Sequence, residues 1–166
     1  MHKVRTLIVG QAPSDYSKNP VPWRSGSSSR RLWGWFGCKT YEDFCTLGES
    51  FYAIPWLEGK NEKGDKVPSQ RKVIAKLKKR LWEKIDEGYS LVFLVGKFPQ
   101  RLAGMTGINT ICGKGKLFSE KQNKYVDIVL LPHPSGVNLM INGKDEMLKD
   151  YVKDILRHYG IKKDIS

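Results

Sequence analysis

The residues of this chain best suited to chemistry stand in two short loops that lie far apart in the sequence. His133 belongs to Pro132-His133-Pro134-Ser135-Gly136-Val137-Asn138, and histidine is the side chain best able to act electrostatically near neutral pH. Gln11 belongs to Gly10-Gln11-Ala12-Pro13-Ser14. Its amide can orient a water by hydrogen bonding but cannot accept a proton from it. Asp15, one step beyond Ser14, is a carboxylate that can accept one, and is equally suited to an Asx turn or a helix cap. Both loops combine rigid proline, permissive glycine and small polar groups, as a pocket that a ligand approaches closely requires.

Each loop follows an apolar strand, Val4 to Val9 for the first and Tyr125 to Leu131 for the second. In an open α/β sheet, ligands bind just beyond the carboxyl ends of the strands. The stretch from Asp15 to Ser29 reads as a long loop, with Ser27 to Ser29 capping a short helix from Arg30 to Phe36 that Gly37 stops. Phe51 to Trp56 reads as a strand broken at Pro55, and Glu58 to Lys66 as a surface loop. Pro68 opens the clearest helix, which runs to Glu87 with Val73, Ile74, Leu77, Leu81 and Ile85 as its buried stripe. Leu91 to Val95 is a further buried strand, and Gly96-Lys97 starts a short helix through Ala103. A glycine-rich region from Gly104 to Gly115 precedes the Tyr125 strand, and a last helix spans Lys144 to His158. Strands alternating with helices imply a three-layer α/β/α sandwich around a mostly parallel sheet.

The length of 166 residues suits one domain, residues 1–166, with one core. Twenty-nine Lys and Arg against seventeen Asp and Glu give a formal charge of +12, an excess that favours a polyanionic partner. The sequence has no apolar run of membrane-spanning length and no secretory segment behind Met1-His2-Lys3. No membrane role is therefore expected, and the expected setting is cytoplasmic. Three cysteines, Cys38, Cys45 and Cys112, are too few for a disulfide framework and lack the spacing of a zinc site. No metal or other cofactor is expected.

Together, Gly10-Gln11-Ala12-Pro13 and His133-Pro134-Ser135 resemble the uracil-DNA glycosylase superfamily, which carries a Gly-x-x-Pro water-activating loop after its first strand and a His-Pro-Ser loop after its last. The resemblance implies a DNA glycosylase with DNA as its partner, expected as a monomer. With no organelle signal evident, the expected setting is a microbe or a microbial virus. Such an enzyme needs a flipped base, a water on the far face of the sugar, and a donor for the base anion that forms. His133 takes the donor role, with Gln11 and Asp15 beside it as catalytic candidates. Gly10, Ala12, Pro13, Trp23, Ser135 and Asn138 are the candidates for substrate contact. Ser135 and Gly136 are suited to hold a phosphate, and Val137, Leu139 and Met140 match the wedge that the superfamily inserts into the duplex, or else simply pack.

Pro22-Trp23-Arg24-Ser25-Gly26 with Ser29-Arg30-Arg31-Leu32 is similar to a segment of the thermostable, family 4-like branch, whose aromatic stacks on the flipped base. Trp23 stands in that place, with packing on the core as the alternative. Leu94-Val95-Gly96-Lys97 and Arg101-Leu102-Ala103-Gly104 resemble that branch's Leu-Gly-Arg-x-Ala segment, which makes Lys97 and Arg101 candidates for DNA contact. The chain departs from the branch at three points. The first loop holds neither the acid nor the Asn of the superfamily's best-known members at Gln11-Ala12, although one branch also lacks an acid there, and Ile54-Pro55 replace the Asn that reads uracil. The three cysteines cannot supply the four thiolates of the branch's iron–sulfur cluster. These departures keep two further readings open: a non-catalytic nucleic-acid-binding relative, and a glycosylase for a hypermodified pyrimidine.

Overall fold

The computed structural model describes residues 4–11, 22–24, 26–55, 60–61, 64–65, 68–105, 111–135 and 141–161. Five strands form the central sheet: β1 (Thr6–Gly10), β2 (Glu49–Tyr52), β5 (Leu91–Val95), β6 (Gly113–Ser119) and β7 (Lys124–Leu131). Their order is β2-β1-β5-β7-β6. The first four strands in that order run parallel, and β6 closes one edge antiparallel to β7.

Strict alternation along the strands divides the core into two faces. Ile8, Phe93, Val95, Val129 and Leu131 face one cluster, completed by Leu32 and Trp35 of α1 (Ser27–Trp35) and by Leu148, Val152 and Leu156 of α5 (Asp145–His158). Leu7, Val9, Val92, Leu94, Ile128 and Leu130 face the other. There they meet Leu77, Leu81 and Ile85 of α3 (Arg71–Ile85) and Phe98 and Leu102 of α4 (Lys97–Leu102). Val73 and Ile74 complete the expected stripe of α3 as partly buried neighbours of that cluster. The result is the expected three-layer arrangement around a mostly parallel sheet. Among the described residues no helix is long and apolar enough to cross a membrane.

Several local expectations need correction. Ser27, Ser28 and Ser29 lie inside α1, and its N-cap is Gly26 at φ 102 without a side-chain cap bond. A short α2 (Tyr41–Cys45) escaped the sequence reading, although its signal is present: the Thr40 side chain accepts from the Asp43 N–H at 3.1 Å, and Glu42 and Asp43 sit in the first turn. The segment read as a surface loop includes the paired β3 (Lys60–Asn61) and β4 (Gly64–Asp65). The largest omission is β6, whose Gly113-Lys114-Gly115-Lys116 start reads as loop. Pairing with β7 along its whole length, from Gly113 with Leu130 to Ser119 with Lys124, overrides that local preference.

Candidate active site at the carboxyl edge of the sheet

Parallel pairing brings the ends of four strands to one edge. Gly10 pairs with Tyr52, Val9 with Leu94 and Val95 with Leu131. Gln11 leaves β1 and His133 leaves β7 at this edge, with β5 between them. At about 4.8 Å per strand, their starting points lie on the order of 10 Å apart. The first loop is tied to β2 beyond the ladder, since Ala53 N–H donates to the Gly10 carbonyl at 2.8 Å and Ile54 N–H to that of Gln11 at 2.7 Å.

His133 is half-buried, and its Nδ1 accepts the Ser135 backbone N–H at 3.1 Å. A nitrogen that accepts cannot also carry a proton, so the neutral ring holds its hydrogen on Nε2. The side chain is thus set as a donor through Nε2. Beneath it lies Gly96 at φ +96, where an added Cβ would sit 3.5 Å from His133 Cδ2. The chain therefore needs a residue that tolerates positive φ next to the imidazole.

Gln100, passed over in the sequence reading, secures this arrangement. Its Nε2 donates to the Leu94 carbonyl at 3.1 Å and to the Leu131 carbonyl at 2.9 Å. The Gly96 N–H also donates to Leu131, at 2.9 Å. One amide thus joins the ends of β5 and β7 immediately before the His133 loop. The available signal was an amide on the first helix after β5, close enough to reach carbonyls at the ends of both strands.

Trp23 lies over Gly10, and a Cβ on that glycine would fall 2.5 Å from the indole Cζ2. The ring is only 5% exposed. Its centroid is 6.5 Å from that of Tyr52, and its carbonyl accepts the Trp33 indole N–H at 2.8 Å. The Trp23 indole N–H is buried and has no partner among the described residues. The backbone at Trp23 is left-handed, φ 62, a conformation that costs about 1–3 kcal/mol for a bulky residue and is retained where the surroundings impose it. Trp23 is therefore part of the core packing at the edge beside Gly10 and Gln11.

Lys97 and Arg101 are exposed on α4, and neither forms an ion pair among the described residues. Lys97 follows Gly96 and so stands next to the His133 loop. Arg31 has a different role from its neighbours in the sequence. Its Nε and Nη2 grip the Asp145 carboxylate at 2.8 and 2.9 Å, and the Trp35 indole N–H donates to the same carboxylate at 2.7 Å. The Arg31 hydrogen bonds hold the Asp145 carboxyl below the usual carboxylate range. This clamp fixes the start of α5, where the chain returns from the His133 loop. Of the other candidates, Ser135 is half-buried next to His133, while Ala12, Pro13, Asp15, Gly136, Val137, Asn138, Leu139 and Met140 lie outside the described residues.

The thiols do not make a cluster site. Cys38 is buried and its Sγ donates to the Phe36 carbonyl at 3.7 Å, Cys45 is exposed on α2, and Cys112 is half-buried, its thiol pushed up by burial. Three separate cysteines do not fit the four-thiolate set of an iron–sulfur cluster.

The fold is that of an α/β protein, with the candidate residues Gln11 and His133 at the carboxyl ends of β1 and β7. The family model described as the uracil DNA glycosylase superfamily matches residues 2–156, so the chain belongs to that superfamily. Membership carries glycosylase chemistry on DNA in general. No curated protein matches the chain.

Proposed function

We propose that this protein is a DNA glycosylase that extrudes a damaged or modified pyrimidine, uracil being the first candidate, and hydrolyses its N-glycosidic bond without a metal. The observation that carries the reading is His133, whose Nδ1 accepts from Ser135 and whose Nε2 is thereby left with the hydrogen. As the bond between sugar and base breaks, its electron pair goes to the base, and a pre-set donor to a base carbonyl stabilises the charge as it grows. A water oxygen bonds to the sugar carbon, and the proton that it loses passes through solvent to the departed base anion, which leaves as the neutral base. Gln11, at the end of β1, is suited to orient that water.

Around this centre the resemblance supplies the remaining roles. Gly10, Ala12 and Pro13 shape the water loop, and Asp15 is the carboxylate nearest to it in sequence. Asn138 contacts the base or its sugar, while Trp23, only 5% exposed, backs the pocket from the core beside Gly10. Ser135, Gly136 and Val137 meet the DNA backbone, and Lys97 and Arg101 add charge for flanking phosphates. A second reading concerns the base itself. Ile54 and Pro55 offer no side-chain amide, and the Ile54 N–H is already committed to Gln11. That is the observation behind the alternative, a glycosylase for a hypermodified pyrimidine.

The test is base release from single-lesion oligonucleotides carrying uracil, mismatched thymine, or oxidised or hydroxymethylated pyrimidines, followed by alkaline cleavage. Release of one of these pyrimidines supports the proposal. Tight DNA binding with no release of any of them would instead assign the protein as a non-catalytic binding module.

A further inference from the structure

The edge strand β6 carries a surface that the carboxyl-edge site does not use. Its register with β7 places Phe118 opposite Tyr125 and Lys116 opposite Asp127. Phe118 is 46% exposed and Tyr125 65% exposed, where large apolar side chains are otherwise mostly covered. Their rings meet edge to face with centroids 5.2 Å apart. Alternation puts Lys114, Lys116 and Phe118 on one face of β6. Successive members of that row lie about 7 Å apart by the antiparallel rise.

Lysines on an edge strand are by themselves a common guard against pairing with another chain. An exposed aromatic pair works against such a guard, so its presence calls for a different occupant. The hairpin from Gly113 to Leu131 carries Lys114, Lys116, Lys121 and Lys124 against Glu120 and Asp127. Asp127 is already engaged, since the Tyr159 hydroxyl donates to it and Lys116 lies 4.0 Å from it. A cavity of about 430 Å³ runs beside the row, bounded by Lys114, Lys116, His158 and Tyr159. Exposed rings for bases and a cationic row for phosphates are the two components of a single-strand platform.

The position of the ribbon fits the reaction. Lys114 pairs with Val129 near the carboxyl edge, and Tyr125 lies six residues back from Leu131, about 20 Å along the strand. We propose that the exposed part of the β6–β7 ribbon beside α5, where Lys114 already lies over the Tyr151 ring, is a second nucleic-acid site, which holds single-stranded DNA leading away from the active edge, with bases on Tyr125 and Phe118 and phosphates on Lys114 and Lys116. This inference rests on the proposed reaction on DNA and adds a strand preference to it.

Fluorescence anisotropy with labelled oligothymidines of about 4 and about 16 nucleotides tests the site. In the Phe118→Ser/Tyr125→Ser and Lys114→Glu/Lys116→Glu double variants, affinity for the long strand should fall about tenfold or more. Affinity for the short strand and base release from a short substrate should hold, and Tyr125→Phe, which keeps the ring, should bind like the parent. Melting temperatures near the parental value would show that these exposed changes leave the fold intact. Parental affinity for the long strand in both double variants would overturn the proposal. So would equal losses on both lengths, or unchanged DNA binding with altered self-association, which would mark a protein interface. Base release that persists while the ribbon variants bind normally ends the ribbon proposal alone. A parent that neither binds DNA nor releases base ends both readings.

Discussion

The Ser135 backbone N–H donates to His133 Nδ1 at 3.1 Å, so the main chain two residues on decides which imidazole nitrogen carries the hydrogen. The relationship separates two properties of Ser135, its N–H and its hydroxyl. Ser135→Ala keeps the N–H and should preserve single-turnover base release, while any phosphate contact of the hydroxyl is lost and DNA affinity falls. Ser135→Pro removes the N–H and should slow release by about tenfold, the scale of a lost hydrogen bond to a group that must be oriented. Equal rates for the two variants would contradict the tautomer assignment.

Gln100 makes a prediction that can be read without any substrate. Gln100→Leu leaves the Leu94 and Leu131 carbonyls without its two hydrogen bonds. The cost should be about 0.5–1.5 kcal/mol for each bond lost in urea unfolding, since the Leu131 carbonyl keeps the Gly96 N–H. Base release should also fall, because the ends of β5 and β7 no longer hold the His133 loop in register. A variant as stable as the parent would show that water replaces the amide without loss.

Gly10 and Trp23 should behave as a pair. Gly10→Ala places a Cβ 2.5 Å from the Trp23 ring, a distance that forces the indole to move. Trp23→Ala opens a cavity and should destabilise by about 3–5 kcal/mol. In the Trp23→Ala background, Gly10→Ala should lose most of its own cost, a coupling that a double-mutant cycle measures. Additive costs would contradict the contact.

The Arg31–Asp145 clamp gives a pH dependence. Asp145 is depressed in the folded state, chiefly by Arg31. Its contribution is therefore present above the ordinary carboxylate value near pH 4 and is lost as pH falls through the lower folded value. Asp145→Asn should lower stability at pH 7 by about 1 kcal/mol, since the carboxylate is partly exposed. The difference from the parent should shrink below pH 4. A difference that grows under acid would reverse the assignment.

How much of this was legible in the sequence depended on whether a residue's role is local. Leu77, Leu81 and Ile85 could be read as the buried stripe of α3, because helical spacing is a local pattern. The strands around Ile8, Phe93 and Val129 could be read because continuous apolar runs bury both faces. The edges of β1 and β7 also stood out, since loops after buried strands carry ligand sites in such sheets. The strand β6 was not legible, because its Gly-Lys alternation becomes a strand only when β7 pairs with it. Gln100 was missed for the same reason, as its partners at 94 and 131 are supplied by the fold. Trp23 was read as a base-stacking residue or a core residue, and only its contact with Gly10 shows how closely it is packed.

The central claim is that His133 stabilises the base anion as it forms, and its most direct test is single-turnover release by His133→Ala on whichever base the lesion panel identifies. Loss of one such donor should lower the rate by about 10²–10³-fold, with DNA affinity nearly unchanged because the interaction strengthens only in the transition state. Release at the parental rate from the His133→Ala variant would contradict the account.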